Sequence, residues 1–200
     1  TNSLNVVYRV HRQTYGWETN WSTSGNVSGT TGQAKRLEGI TLALTGNTYS
    51  GGITYRTHVQ SYGWMNWVSD GAVSGTFGEA KRLEAIQIKL TGEIANYYDI
   101  YYRVHAQTYG WLGWAKNGQA SGTEGLAKRL EAIQIVLVKK NAGAPSSTYN
   151  GVTQTRSQSC VSKNAITSIY VYGTTLTVGQ SATLQCNIHP SNASKVGLLW

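Results

Sequence analysis

Charge is scarce in this chain: Asp, Glu, Lys and Arg together make up 13% of its 200 residues. So few charges argue against a coiled coil or a helix bundle, whose exposed faces need them. Sulfur is scarcer still, with two cysteines and one methionine, and no Cys-x-x-Cys pair is present to hold a metal or carry redox chemistry. No apolar run approaches the length of a membrane-spanning helix. A Gly-Lys-Ser/Thr phosphate loop and a nucleophile elbow are also missing. Acidic residues stop at Glu131, yet the net charge of +8 is scattered and forms no basic stripe or helix, which argues against nucleic acid as a partner. Scattered positive charge suits weak attraction to anionic cell-wall polymers. No signal peptide precedes the first repeat-like segment, and the chain reads as an excised or mature piece.

What is present is glycine (23), tyrosine (13) and tryptophan (7), the profile of short strands joined by tight turns. One text occurs three times. Tyr8-Arg-Val-His-Arg-Gln-Thr-Tyr-Gly-Trp17 returns as Tyr55-Arg-Thr-His-Val-Gln-Ser-Tyr-Gly-Trp64 and as Tyr102-Arg-Val-His-Ala-Gln-Thr-Tyr-Gly-Trp111, a period of 47 residues. A second tryptophan follows each time (Trp21, Trp67, Trp114), and each copy ends in Lys-Arg-Leu-Glu-x-Ile at Ile40, Ile86 and Ile133. A fixed period of this length outranks local propensity in deciding the architecture.

Within a copy, Tyr8–Gln13 reads as a strand, Tyr15-Gly16 as its turn, and Trp17–Ser24 as a second extended piece. Ile40-Thr-Leu-Ala-Leu44, Ile86-Gln-Ile-Lys-Leu90 and Ile133-Gln-Ile-Val-Leu137 alternate with period two, the mark of half-buried strands. A unit of 47 residues barely supports its own core, so three are expected to bury their inner faces around a shared axis. The fold class is therefore all-β, a closed pseudo-threefold domain, with a β-prism favoured over a β-trefoil and a linear array as the remaining option. The first copy carries one extra residue before Trp21, which would turn that indole differently unless a bulge or turn absorbs it.

Repeats are placed at about 6–46, 53–92 and 100–138 within a domain of residues 1–140. Residues 141–165, rich in Ser, Thr, Asn and Gly, read as a linker with a short strand near Gly151–Thr155. Residues 166–200 resume short alternating strands of β-sandwich type but are too few to close two sheets. Cys160 and Cys186 would close a loop of about 26 residues if bridged, worth about 3 kcal/mol in the chain-entropy model. Cys186 reads equally well as a small buried hydrophobe.

The repeated text Tyr-x-x-His-x-Gln-x-Tyr-Gly-Trp, with its second tryptophan, its glycines and its Lys-Arg-Leu-Glu-x-Ile ending, closely resembles the ChW family of clostridial hydrophobic repeats with tryptophan. The tail, with Leu176-Thr-Val-Gly, Ala182-Thr-Leu and His189-Pro, resembles the first part of a bacterial Ig-like domain of the second group. The resemblance implies an extracellular or cell-surface accessory module of a Gram-positive bacterium, with polysaccharide, cell-wall polymer or surface protein as its partner. The expected function is non-catalytic attachment by a monomer, without cofactor; the alternative is a structural or protein-binding spacer whose tryptophans are core.

Trp17, Trp64 and Trp111 follow the Tyr-Gly turn and are the candidates to stack on sugar faces, because loops accumulate binding sites. Tyr15, Tyr62, Tyr109, Gln13, Gln60 and Gln107 would hydrogen-bond hydroxyls beside them. Trp21, Trp67 and Trp114 lie in the next strand and are expected in the core, where their area is most useful. His11, His58 and His105 have no carboxylate in evident register, so a structural role is expected and not a metal. Glu38, Glu84 and Glu131 each come with an arginine two residues earlier. An intra-repeat ion pair is therefore expected, and not the pair of carboxylates a glycosidase needs.

Overall fold

The computed structural model describes residues 3–162, 168–172 and 185–189. It divides into one unit of Thr1–Val161 and a second of Ser162–Trp200. Repeat one supplies β1 (Asn5–Arg12), β2 (Gly16–Trp17), β3 (Ser22–Thr23), β4 (Val27–Gly29) and β5 (Leu37–Thr45). Repeat two supplies β6 (Gly52–Val59), β7 (Gly63–Trp64), β8 (Val68–Ser69), β9 (Ser74–Gly75) and β10 (Leu83–Thr91). One helical turn, α1 (Ile94–Tyr97), leads to repeat three. That repeat supplies β11 (Tyr98–Ala106), β12 (Gly110–Trp111), β13 (Ala115–Lys116), β14 (Ser121–Glu124) and β15 (Leu130–Lys139).

Each repeat is organised on one long antiparallel pair, β1 with β5, β6 with β10 and β11 with β15. Period-two alternation decides their facing: in β1, Val6, Tyr8 and Val10 are buried while their neighbours are half-exposed. Ile40 and Leu42, Ile86 and Ile88, and Ile133 and Ile135 meet in one hydrophobic cluster, so the three repeats share a core. At about 1.5–3 kcal/mol per buried aliphatic side chain, that sharing supplies what one repeat lacks.

The repeats are tied by exchange of strands. β4 of repeat one pairs with β15 of repeat three, β9 of repeat two with β5 of repeat one, and β14 of repeat three with β10 of repeat two. The three exchanges form a cycle, although no individual sheet closes into a barrel. The all-β expectation thus holds, as three sheets linked in a ring.

Each exchange docks beside a β-bulge. Register slips between His11 and Arg12, at Leu83–Ala85, and between His105 and Ala106, leaving Glu38, Glu84 and Glu131 unpaired on the long strand. A bulge re-aims the side chain it carries. The incoming strand then lies against the bulged backbone, Thr76 N donating to Glu38 O at 2.8 Å and Thr30 N to Glu131 O at 2.9 Å. Glycine is required at this crossing: Gly75 has φ +109°, and a Cβ there would stand 2.5 Å from Glu38 O.

Buried tyrosines fasten the same joints. The Tyr55 hydroxyl accepts from Leu42 N of repeat one at 3.1 Å and donates to Ala72 O. Tyr8 accepts from Ile135 N of repeat three at 3.1 Å and donates to Asn26 O. Burial raises the pKa of Tyr8, Tyr55 and Tyr102 above the usual phenol value, so each stays a neutral hydroxyl.

Residues 141–161, expected as linker, belong to the first unit. They carry the hairpin β16 (Thr148–Tyr149) and β17 (Val152–Thr153), then β18 (Cys160–Ser162), which joins the edge of β14. In the second unit, β19 (Ser168–Tyr172) and β20 (Gln185–His189) pair antiparallel. The rest of the segment expected to be Ig-like, and the Cys186 side chain, lie outside the described residues.

Replacing Gly75 by Ala is expected to destabilise the first unit by about 2 kcal/mol or more, through the clash and the positive φ together, read as a fall in thermal midpoint. A second expectation concerns Asp99. Burial opposes its ionisation, but hydrogen bonds from Lys116, Lys140 and Asn117 outweigh that and hold the carboxyl down to about 2. A pKa depressed on folding stabilises above the unfolded value near 3.8 and loses that contribution as pH falls towards 2. Asp99→Asn should therefore be less stable than wild type at pH 7, with the gap closing between about pH 4 and 2 in denaturant titrations.

Candidate functional site

Alternation along β1, β6 and β11 buries Tyr8, Tyr55 and Tyr102 and places the next residue, Arg9, Arg56 or Arg103, on the outer face. The Tyr-Gly turn folds the chain back so that Trp17, Trp64 and Trp111 pair opposite His11, His58 and His105. The second tryptophan follows just before β3, β8 or β13. Each guanidinium is thereby held against two indoles. The distances to the ring centroids are 5.6 and 4.8 Å for Arg9, 5.0 and 4.8 Å for Arg56, and 5.7 and 4.3 Å for Arg103. Such contacts are worth about 0.5–2 kcal/mol each, more as they lose water. Nothing local in the sequence singles out these arginines as cleft residues, although Tyr-Arg-x-His stands in every copy.

Exposure reverses the expected division of the tryptophans. Trp21 and Trp67, expected in the core, are 40% and 36% exposed, whereas Trp17 and Trp64 are half-buried and Trp111 is 9% exposed. The strand exchanges explain the burial of the first indole. Phe77, beyond the crossing glycine of repeat two, packs edge-on against Trp17 of repeat one at 6.3 Å. Glu124, at the same place in repeat three, accepts the Trp64 indole N–H at 2.6 Å. The second indole sits outside this contact, with the guanidinium against it. The extra residue in repeat one is absorbed in the bend at Thr19–Asn20, since Arg9 and Arg56 lie equally far from Trp21 and Trp67. Beside Trp21 opens a cavity of about 320 Å³ lined by Arg12, Glu18, Thr19, Asn20 and Ser22.

The third cleft is filled. Residues 146–158 lie across it as a strap, and Arg103 is fully buried beneath. The Arg103 Nε–H donates to Gln134 Oε1 at 2.8 Å, and its two terminal nitrogens donate to Ser147 O and Val152 O, both at 2.9 Å. The Trp114 indole N–H donates to Ser146 O at 3.0 Å, and Tyr149 meets the Trp114 ring edge-on at 6.0 Å. Burial pushes the Arg103 guanidinium down to about 10, still charged at neutral pH. Repeat two has the same Arg–Gln bond, Arg56 Nε to Gln87 Oε1 at 2.6 Å, but no strap. Repeat one has Thr41 in place of the glutamine, and Arg9 Nε is buried without a partner among the described residues.

The other candidates fall in separate places. Tyr15 and Tyr62 are exposed on the rim, with Lys35 5.5 Å and Lys81 4.8 Å from their rings, while Tyr109 lies under Arg156 of the strap at 5.0 Å. Gln13, Gln60 and Gln107 do not join the tryptophans. They converge with Arg36, Arg82 and Arg129 on a polar cavity of about 330 Å³ built from all three repeats.

The bulge gives each histidine a carboxylate that regular strand register would not. Nδ1 of His11, His58 and His105 lies 3.0, 3.1 and 2.9 Å from Glu38, Glu84 and Glu131, close in distance though short of a well-aligned hydrogen bond. The expected intra-repeat ion pairs are present: the Arg36, Arg82 and Arg129 Nε–H groups donate to the same glutamates at 2.8, 2.9 and 2.8 Å. Each imidazole is held edge-on to the first tryptophan, at 5.5–5.6 Å. Among the described residues no three His, Cys, Asp or Glu side chains converge to hold a metal. As a thiol, Cys160 is pushed up to about 11, chiefly by burial.

Acrylamide quenching checks the exposure pattern. In a Trp200→Phe background, the double variant Trp21→Phe, Trp67→Phe should lose most of the quenchable emission of the folded protein, while Trp111→Phe should lose little of it.

Comparison with curated proteins and with solved structures returned no similar chain. One family model, described as clostridial hydrophobic W, matches residues 11–46, 58–92 and 105–139, one span in each repeat, which takes in both tryptophans of each cleft and begins two residues after Arg9, Arg56 and Arg103. The family model thus covers more than half of the chain, which belongs to the clostridial hydrophobic W (ChW) family.

Proposed function

We propose that the chain is a non-catalytic binding module that attaches an extracellular Gram-positive protein to a surface polymer through its open arginine–tryptophan clefts. The observation that carries this reading is the inequality of three equivalent sites. The third has every guanidinium nitrogen satisfied within the chain, while the terminal nitrogens of Arg56 have no acceptor among the described residues. Beside them, Trp21 and Trp67 remain exposed. A ligand for such a cleft offers a flat face to the indole and acceptor oxygens to the guanidinium fork. Polysaccharides and cell-wall polymers offer both, and so does a polypeptide main chain. Each site is small and weak, and two sites on one chain strengthen attachment to a repeating polymer by mass action.

A purely structural spacer is the weaker reading, since its tryptophans would all be core and two of them, Trp21 and Trp67, are exposed. A protein-binding version is favoured by one observation: polypeptide already occupies the third cleft.

Retention on purified cell wall and on insoluble polysaccharides tests the proposal. Trp67→Ala and Trp21→Ala should each lower retention about tenfold, and the double variant should abolish it, with the circular dichroism spectrum unchanged. Full retention by a folded double variant would remove both clefts from the site.

A further inference from the structure

The strap is a bound polypeptide in all but covalent connection, and it displays what the cleft recognises. Its hairpin turns at Asn150-Gly151, both in the positive-φ region at 48° and 75°, which is the two-residue turn of a tight β-hairpin. The turn brings Ser147 O and Val152 O together, 2.9 Å from the two terminal nitrogens of Arg103. The fork of a guanidinium suits two carbonyls held at a fixed separation, which a hairpin supplies without further ordering. Trp114 adds a donor to Ser146 O and an edge-on surface for Tyr149. Asn150 Nδ2 and Gln134 Nε2 both reach Gly25 O at the neighbouring repeat's loop, so the hairpin sits in a groove between two repeats.

Repeat two repeats this groove nearly part for part. Arg56 is held by Gln87 as Arg103 is by Gln134, Trp64 and Trp67 stand for Trp111 and Trp114, and Gly118 N bonds Ile88 O where Gly25 N bonds Ile135 O. Two replacements explain why the strap takes repeat three. Asn66 stands where Gly113 lets the strap backbone approach, its N donating to Gln158 O at 2.9 Å, and any Cβ at 113 would run into Ser157 O. Lys89 stands where Val136 does, its Nζ 4.4 Å from the Trp67 ring, adding a second cation to the open cleft.

We infer that the Arg56–Trp67 cleft of repeat two is a receptor for a tight β-hairpin of a partner polypeptide, gripped by its main-chain carbonyls as the strap is gripped by repeat three. This rests on the attachment reading and names the ligand of that site. The partner is a Ser/Thr-rich surface protein with Asn-Gly-type hairpins. Its chain must leave the cleft before the position that Asn66 blocks, and an acidic residue facing Lys89 would strengthen the contact.

The probe is a backbone-cyclised peptide of residues 146–155, which retains the Asn150-Gly151 turn and omits the part that meets Gly113. It is titrated into the full chain, with resonances of Trp67 and Arg56 followed by NMR. Binding at concentrations up to about 1 mM that shifts these resonances is expected. It should weaken about tenfold in Trp67→Ala, whose indole is exposed, and in Arg56→Lys, which keeps the charge and loses the fork. Two results would overturn the inference: binding unchanged in both variants, or no peptide binding while cell wall or polysaccharide is still retained through Trp67. The latter leaves the attachment reading standing with sugar as the ligand. Absence of both peptide and polymer binding in the wild-type chain overturns the two together.

Discussion

The structure depends on the crossing of one short strand over one bulge, made three times. An incoming Gly-Thr or Ser-Gly segment can lie against the long strand only because glycine leaves the space and the bulge leaves the carbonyl free. From that crossing the rest follows. The residue after it reaches the neighbour's first tryptophan, as Phe77 and Glu124 do. The glutamate on the bulge turns towards its histidine. The half-buried first indole then becomes one wall of a cleft whose other wall is the exposed second indole.

Between these walls the arginine sets the chemistry. A guanidinium stacked on indoles keeps its edge nitrogens directed outward in a plane, and only acceptors in that plane satisfy them. The third repeat meets the demand internally with two carbonyls of one hairpin, and the cost is an arginine removed from water whose pKa falls accordingly. The second repeat leaves the terminal nitrogens of Arg56 to solvent or to a ligand, and the first has one long bond, from an Arg9 terminal nitrogen to Glu18 O at 3.5 Å. Equivalent sequence has thus produced inequivalent sites, through Gly113 and Val136, which give way to Asn66 and Lys89 in repeat two, and through Gln134, kept as Gln87 in repeat two but replaced by Thr41 in repeat one.

Much of the fold was legible because it rests on period. Strict alternation in Ile40–Leu44 and its counterparts gave the long strands, and a repeat of 47 residues gave the three-part body. The site was less legible because it rests on pairing between copies. Nothing local marks Ser74-Gly75 as a strand belonging to another repeat's sheet, so the burial of Trp17 by Phe77 could not be read from either segment alone. Glu38 is out of register with His11 in a regular ladder, and only the bulge, which no local sequence signal marks, brings the two together. Residues 141–161 read as linker in sequence because their contacts with Arg103 and with the Trp114 indole N–H are made by main-chain carbonyls, which composition does not reveal.

The cyclic pattern of exchange has a consequence for how such chains can evolve. In an open stack of modules, one can be added or lost at an end with only a cap to adjust. Here every module is both guest and host, so there is no end. Removing one would leave an unfilled edge and a homeless strand at once, and a fourth would demand a wider ring with a different interior. Copy number in this body should therefore change by whole rings, or by trading a segment between two molecules.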